Sequence, residues 1–149
     1  MPREAAIDTN VLQKANVALN DPRRAAATLL ARRLSLLRSI SNKEISVLIG
    51  ERLAHEYAQQ LRTVNNDVVK TFVELVTQPN GKHVIFNWKA QWSGGERDRA
   101  RKCRYPAEDD HVLRTAIRGD PSTIYTEEER MLKADACVYR EFRVHISEP

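Results

Sequence analysis

Short apolar runs alternate along this chain with longer stretches in which apolar residues return at helical spacing. Ala5-Ala6-Ile7 reads as a first strand, ended by Asp8-Thr9-Asn10 before the apolar Val11-Leu12. A helix is expected from Asp21 to about Ile40. Asp21 is a favourable N-cap, Pro22 suits the first helical position, and Leu29, Leu30, Leu37 and Ile40 recur at helical spacing. Ser41-Asn42-Lys43-Glu44 reads as a turn and Ile45 to Ile49 as a second, buried strand. Glu51 to Arg62 predicts a helix with Leu53, Tyr57 and Leu61 on one stripe. Asp67 to Thr77 predicts another, stopped by Pro79-Asn80-Gly81, and Val84-Ile85-Phe86 a short third strand.

From Trp88 to Arg104 the periodicity fails. Trp92-Ser93-Gly94-Gly95 predicts a flexible link, and Glu96 to Arg104 is densely basic. The pattern resumes with a helix from about Glu108 to Arg118, a strand over Ser122 to Tyr125, a helix from about Glu127 to Tyr139 and a last strand, Arg143 to Ile146. This alternation predicts a three-layer α/β/α domain spanning residues 1–149, with a mainly parallel sheet of four or five strands covered on both faces.

Composition narrows the class. The chain has 149 residues, 42% hydrophobic and 30% charged, as expected of a globular domain able to bury a core without staples. No run approaches the ~20 apolar residues of a membrane span, and the N-terminus lacks a basic-then-apolar leader, so a cytoplasmic protein with no membrane partner is expected. Cys103 and Cys137 lack C-x-x-C spacing and read as reduced thiols; His55, His83, His111 and His145 make no zinc spacing. The net charge is +4. If four of the 20 acids gather in one pocket, 16 remain against 24 Lys and Arg, leaving +8 elsewhere, a fitting footprint for a polyanion.

Each strand-to-helix junction carries a carboxylate: Asp8 after the first strand, Glu56 in the helix after the second, Asp109 and Asp110 opening the helix before the fourth, Glu127 and Glu128 after it. Right-handed crossovers bring such junctions to one edge of a parallel sheet, where ligands bind in open α/β folds. Spacing alone leaves Asp109 and Asp110 equivalent, since Asp109 is four and Asp110 three residues before Leu113.

Four segments in order resemble the PIN-domain nucleases, and within them the toxin components of toxin–antitoxin pairs. Ile7-Asp8-Thr9-Asn10-Val11-Leu12 is similar to the family's opening strand. Gly50 to Tyr57 (GERLAHEY) aligns Glu56 with its glutamate, Asp110 to Ala116 (DHVLRTA) resembles its D-x-x-L-x-x-A, and Tyr125 to Leu132 (YTEEERML) its v-T-x-D-x-d-l-l. Val144 to Pro149 is similar to the closing strand, and the likeness spans most of the chain outside about 88–104. The resemblance implies a PIN-like endoribonuclease in which Asp8, Glu56, Asp110 and Glu128 hold Mg²⁺ or Mn²⁺ and carry catalysis. Asn10 and Thr126 would act behind them. It also implies RNA as substrate, a small antitoxin protein as partner, and a homodimer. Divalent ions on carboxylates activate water, orient the phosphate and offset developing charge, and all-oxygen sites suit these ions. Arg97, Arg99, Arg101 and Lys102 would position the nucleic-acid backbone, with Trp88 and Trp92 available to stack on bases. Glu128 departs from the family's usual aspartate, adding a methylene between charge and backbone.

Each feature has a plainer reading. Asp8-Thr9-Asn10 and the Asp109-Asp110 pair could cap helices or answer the helix dipole, and Thr126 to Glu129 fits a capping box. Glu56 could be a solvated ion-pair residue, the basic run a solvated face, and the tryptophans core or lid anchors. Two rival classes follow: a catalytically impaired PIN-fold scaffold or RNA-binding protein, favoured by Glu128, and a haloacid-dehalogenase-type phosphohydrolase, disfavoured because Asn10 stands where that class has Asp. A receiver domain is disfavoured by the missing acidic pair.

Overall fold

The structure, a computed structural model, describes residues 3–19, 23, 27–77, 83–87, 90–119 and 121–149. The expected helix start at Asp21-Pro22, the stop at Pro79-Asn80-Gly81 and the Trp88 ring lie outside them. Five strands form one sheet: β1 (Arg3–Ile7), β2 (Ile45–Ile49), β3 (Val84–Phe86), β4 (Ser122–Tyr125) and β5 (Val144–Ser147). All neighbours are parallel, in the order β3-β2-β1-β4-β5. Arg3 faces Ile45 and Glu4 faces both Ser46 and Ser122, so β1 lies at the centre with partners on both sides.

Among the described residues eight α-helices connect the strands. They are α1 (Thr9–Ala15), α2 (Thr28–Ser41), α3 (Glu51–Gln60), α4 (Asp67–Val76), α5 (Glu96–Lys102), α6 (Asp110–Ile117), α7 (Glu129–Lys133) and α8 (Asp135–Phe142). The chain first moves outward through β2 to β3, then returns to β4 on the far side of β1. Right-handed crossovers therefore put α1–α4 on one face and α5–α8 on the other, giving three layers. The contacts agree: α2 packs on β2 and against α4, α6 crosses β1, β2 and β4, and α8 covers β5.

Central strands of a two-sided parallel sheet read as near-continuous apolar runs, and all five residues of β2 are buried, Ser46 included. In α2 the buried stripe is Leu30, Leu34, Leu37 and Ile40, spaced four, three and three apart. Leu29, expected on that stripe, is 44% exposed because it lies about 100° from Leu30 around the helix. Leu53, Tyr57 and Leu61 are buried as their spacing predicts. Asn66 caps α4, its side chain accepting from the Val69 backbone N–H at 2.9 Å.

Three local expectations are corrected. The expected Glu127 to Tyr139 helix is two helices with Ala134 between them. The basic run is ordered as α5: Gly95 takes φ 75°, a conformation glycine adopts without penalty, and the backbone then enters the helix. The buried Glu96 accepts from Ser93 N–H at 2.7 Å, closing that turn. Burial alone would push the Glu96 carboxyl up; the Ser93 bonds and the charges of Arg118 and Arg99 win and hold it below the ordinary range. Finally, Cys103 and Cys137 are not free thiols but a disulfide with Cα atoms 5.4 Å apart. Thirty-four residues separate them in sequence, yet α5 ends against α8, where Arg99 also lies 4.8 Å from the Phe142 ring centre. Linear spacing carries no record of that approach. Among the described residues no helix is long and apolar enough to cross a membrane.

Candidate active site

The strand order reverses between β1 and β4, and the carboxyl ends of these two strands open the crevice where open α/β sheets bind ligands. Asp8 is the first residue past β1, with its backbone N–H bonded to the Tyr125 carbonyl at 2.9 Å. Its side chain accepts from the Thr126 hydroxyl at 2.7 Å and is only 7% exposed. Asp8 also precedes α1 as its N-cap, but its side chain makes no capping hydrogen bond. Burial pushes its carboxyl above the ordinary range. The Thr126 hydroxyl and the Thr9 backbone N–H pull it down, and the charge of Glu56 adds to the push upward.

Thr126 sits where β4 ends and is fully buried. Its hydroxyl donates to Asp8, accepts from the Glu128 backbone N–H at 3.0 Å, and lies 3.4 Å from the Asn10 amide nitrogen. Asn10 in turn accepts from the Glu127 N–H at 3.4 Å. The two residues expected behind the carboxylates thus tie the end of β1 to the end of β4. Glu56, on α3, accepts from the Thr9 hydroxyl at 2.8 Å and lies 2.9 Å from His111 Nε2 on α6. That His111 contact is close but lacks the direction of a hydrogen bond.

The aspartate pair separates clearly. Asp110 is bound by the Arg101 guanidinium. Among the described residues no cation pairs with Asp109: burial first, then the charges of Asp8, Glu108 and Glu128, push its carboxyl up to about 6, with Arg130 opposing. Asp109 therefore shares the field of Asp8. Glu128 is the N-cap of α7, its carboxylate accepting from the Arg130 backbone N–H at 3.3 Å and from Arg130 Nε at 2.9 Å. The Arg130 bond holds its carboxyl below the ordinary range. The cap expected at Thr126 falls instead on Glu128, because the helix begins at Glu129. Glu127 turns to the other side and is gripped by Arg33 through two bonds of 2.7 and 2.6 Å.

Of the basic candidates, Arg97 and Lys102 are exposed on α5. Arg99 donates to the Glu141 carbonyl at 3.0 Å, Lys102 lies 3.8 Å from the Glu141 carboxylate, and Arg101 bridges the Tyr105 carbonyl and Asp110. Two tyrosines give no sign in the linear sequence of their place here. The Tyr57 hydroxyl donates to the Ile7 carbonyl and that of Tyr105 to the Asp109 carbonyl at 2.8 Å. Each holds the backbone beside an acid. Burial, then the charges of nearby acids (Asp8 and Glu56 at Tyr57; Asp109 and Asp8 at Tyr105), pushes both phenols well above their ordinary range, keeping them neutral donors.

The donor set suits a hard divalent cation: Asp8 and Asp109 are oxygen donors each pushed up by a neighbouring acid, Glu56 for Asp8 and Asp8 among others for Asp109, a repulsion that a cation would relieve. In the placement shown, no three acid, histidine or cysteine side chains among the described residues close around one point. Coordination by three protein groups would therefore need side-chain rotation about χ1 or χ2. No protein-family model, curated protein or solved structure matches the chain.

Proposed function

We propose that this chain is a divalent-metal-dependent nuclease cutting RNA. The observation that carries this is the pairing state of Asp8 and Asp109: two acids at the topological switch point, both raised by burial, each raised further by acidic neighbours. Asp8, Asp109 and Glu56 would hold Mg²⁺ or Mn²⁺, with Asp110 available if Arg101 moves and Glu128 if its cap opens. When bound, the ion supplies an activated water and offsets charge on the phosphate. The chain's own residues do the positioning. Thr126 fixes the Asp8 carboxylate, Thr9 fixes Glu56, Tyr57 and Tyr105 hold the adjacent backbone, and exposed Arg97 and Lys102 draw in the polyanion. RNA as substrate, a small antitoxin partner and a homodimer rest on the PIN resemblance alone.

The test is cleavage of a labelled single-stranded RNA by ribonuclease-free protein, with Mn²⁺ and with EDTA. Cleavage that requires the ion supports the reading; equal traces in both oppose it. A metal-free RNA-binding or scaffold role is the second reading, favoured by Arg101 on Asp110 and by Glu128 serving as a cap. It predicts RNA binding without Mn²⁺ binding or cleavage.

A further inference from the structure

Beside the carboxylates lies a recess of ≈ 90 Å³ at the start of α3, lined among others by Gly50, Arg52, Leu53, Gln91, His111 and Arg114. We propose that it is a phosphate subsite, holding one backbone phosphate of a bound nucleic-acid strand next to Glu56. This deepens the nuclease reading and rests on it for the identity of the strand.

Several independent features point the same way. Helix α3 runs for ten residues from Gly50, which has no side chain to cap it. The N–H groups of the first turn lack helical acceptors and carry the positive end of the helix dipole, which favours an anion. His111 is 5% exposed and lines the recess; among the described residues neither ring nitrogen has a hydrogen-bond partner, although Nε2 lies 2.9 Å from Glu56. The Nε of Arg114 is likewise buried with no hydrogen-bond partner among the described residues, while its guanidinium lies 5.9 Å from the Trp92 ring centre. Buried donors without acceptors are costly, and a phosphate oxygen would satisfy them. Arg52, an exposed cation 3.9 Å from the Glu56 carboxylate, also lines the recess, as does the opposing acid Glu51.

Gly50 makes the recess possible. A Cβ there would lie 2.6 Å from the Thr115 hydroxyl, so only glycine lets α6 come this close to the first turn of α3. Thr115 gives its own proton to the His111 carbonyl at 2.8 Å and so serves as packing. At ≈ 90 Å³ the recess has room for several waters, and so for one phosphate group. Its place in the chain of contacts from His111 to Glu56 to Thr9 and Asp8 puts that phosphate beside the candidate metal ligands.

The test is titration of the full chain in EDTA with inorganic phosphate, followed by backbone amide NMR. Saturable shifts are expected at residues 51–53 and 111–114, and Arg52→Gln with Arg114→Gln should weaken binding about tenfold. Arg52→Gln alone, at an exposed position, should weaken it about threefold and keeps the test open if the double variant unfolds. No saturable shift, or unchanged affinity in the variants, overturns the proposal. A single-stranded RNA, kept intact by EDTA, gives the second arm. The variants should lower the slope of log affinity on log salt by about 0.7, one phosphate contact. An unchanged slope with phosphate still bound would assign the recess to free phosphate and overturn the strand assignment. Asp8→Asn should bind phosphate as wild type does. Phosphate and RNA binding without Mn²⁺-dependent cleavage would thus sink the nuclease reading while leaving the subsite standing.

Discussion

Two groups of acids lie at the carboxyl edge of this sheet, and their surroundings differ sharply. Glu127 lies between Arg33 at 2.6 Å and Lys14 at 3.8 Å, and its carboxyl is held below the ordinary range, chiefly by the Arg33 bonds. Asp8 and Asp109 are raised instead, Asp8 by burial with only hydrogen bonds and a histidine in opposition, Asp109 to about 6 with the exposed Arg130 opposing. Neighbours in sequence split the same way: Asp110 is matched with Arg101 while Asp109 is not. An acid matched to a guanidinium has its charge satisfied by the fold. An acid pushed up by burial and its neighbours has charge left for a ligand, and on that ground the proposed metal site takes Asp8 and Asp109 ahead of Glu127 and Asp110.

The largest effect should come from Asp8→Asn, which keeps shape and removes charge. RNA cleavage in Mn²⁺ should fall by more than the 10–100-fold typical of residues acting behind a metal ligand. Folding should persist, since the amide can still accept from Thr126. Glu127→Gln should do the reverse. Removing one partner of a largely buried pair costs about 3 kcal/mol, which lowers the melting temperature by roughly 10 °C at about 2–4 °C per kcal/mol. Cleavage per folded molecule should be retained. Equal loss of activity in both variants would erase the distinction drawn above.

The aspartate pair sharpens it further. The family likeness selects Asp110, whereas charge and pairing favour Asp109. Asp109→Asn should reduce cleavage nearly as far as Asp8→Asn, and Asp110→Asn by about tenfold or less, read as kcat/KM on the same RNA. The opposite ranking would restore the assignment that the resemblance makes.

A smaller effect concerns stability in EDTA. The Asp109 carboxyl is raised from its unfolded value near 3.8 to about 6, so the folded state binds more protons between those values. By linkage this contribution makes the metal-free protein less stable as pH rises from about 4 to 6, and the penalty persists above. Asp109→Asn should therefore raise the melting temperature by a few degrees at pH 7.5, about what 1 kcal/mol gives in a chain this size, and by less at pH 4.5. Glu96, Glu127 and Glu128 have lowered values and act oppositely, losing stability as pH falls through their folded values. Smallest is Glu128→Gln: the amide oxygen can still accept from the Arg130 backbone N–H, so melting temperature and cleavage should both change little.

How far the sequence could be read follows the range of the forces involved. Strand identity was legible because β2 is apolar but for Ser46 and β1 ends abruptly at Asp8. The α3 stripe was legible because Leu53, Tyr57 and Leu61 keep helical spacing. Helix α5 was not, since its densely basic residues hide a helix in which only Glu96 and Ala100 are buried. The cysteines failed for a related reason: α5 must first dock on α8 before Cys103 meets Cys137. Asp8, Glu56, Asn10 and Thr126 were legible as an edge cluster through topology. The choice between Asp109 and Asp110 rests on Arg101, which α5 brings directly onto Asp110. His111 stood in the sequence only among four histidines without zinc spacing, and its burial against Glu56 needed the fold.

The central claim is that Asp8 carries charge reserved for a cation, and Mn²⁺ titration by calorimetry tests it most directly. Wild-type protein should bind Mn²⁺ saturably, Glu127→Gln should match it, and Asp8→Asn should bind at least about 100-fold more weakly, beyond what loss of a residue behind the ligands would cause. Wild-type protein that takes up no Mn²⁺, or an Asp8→Asn variant that binds it as tightly, would contradict the account.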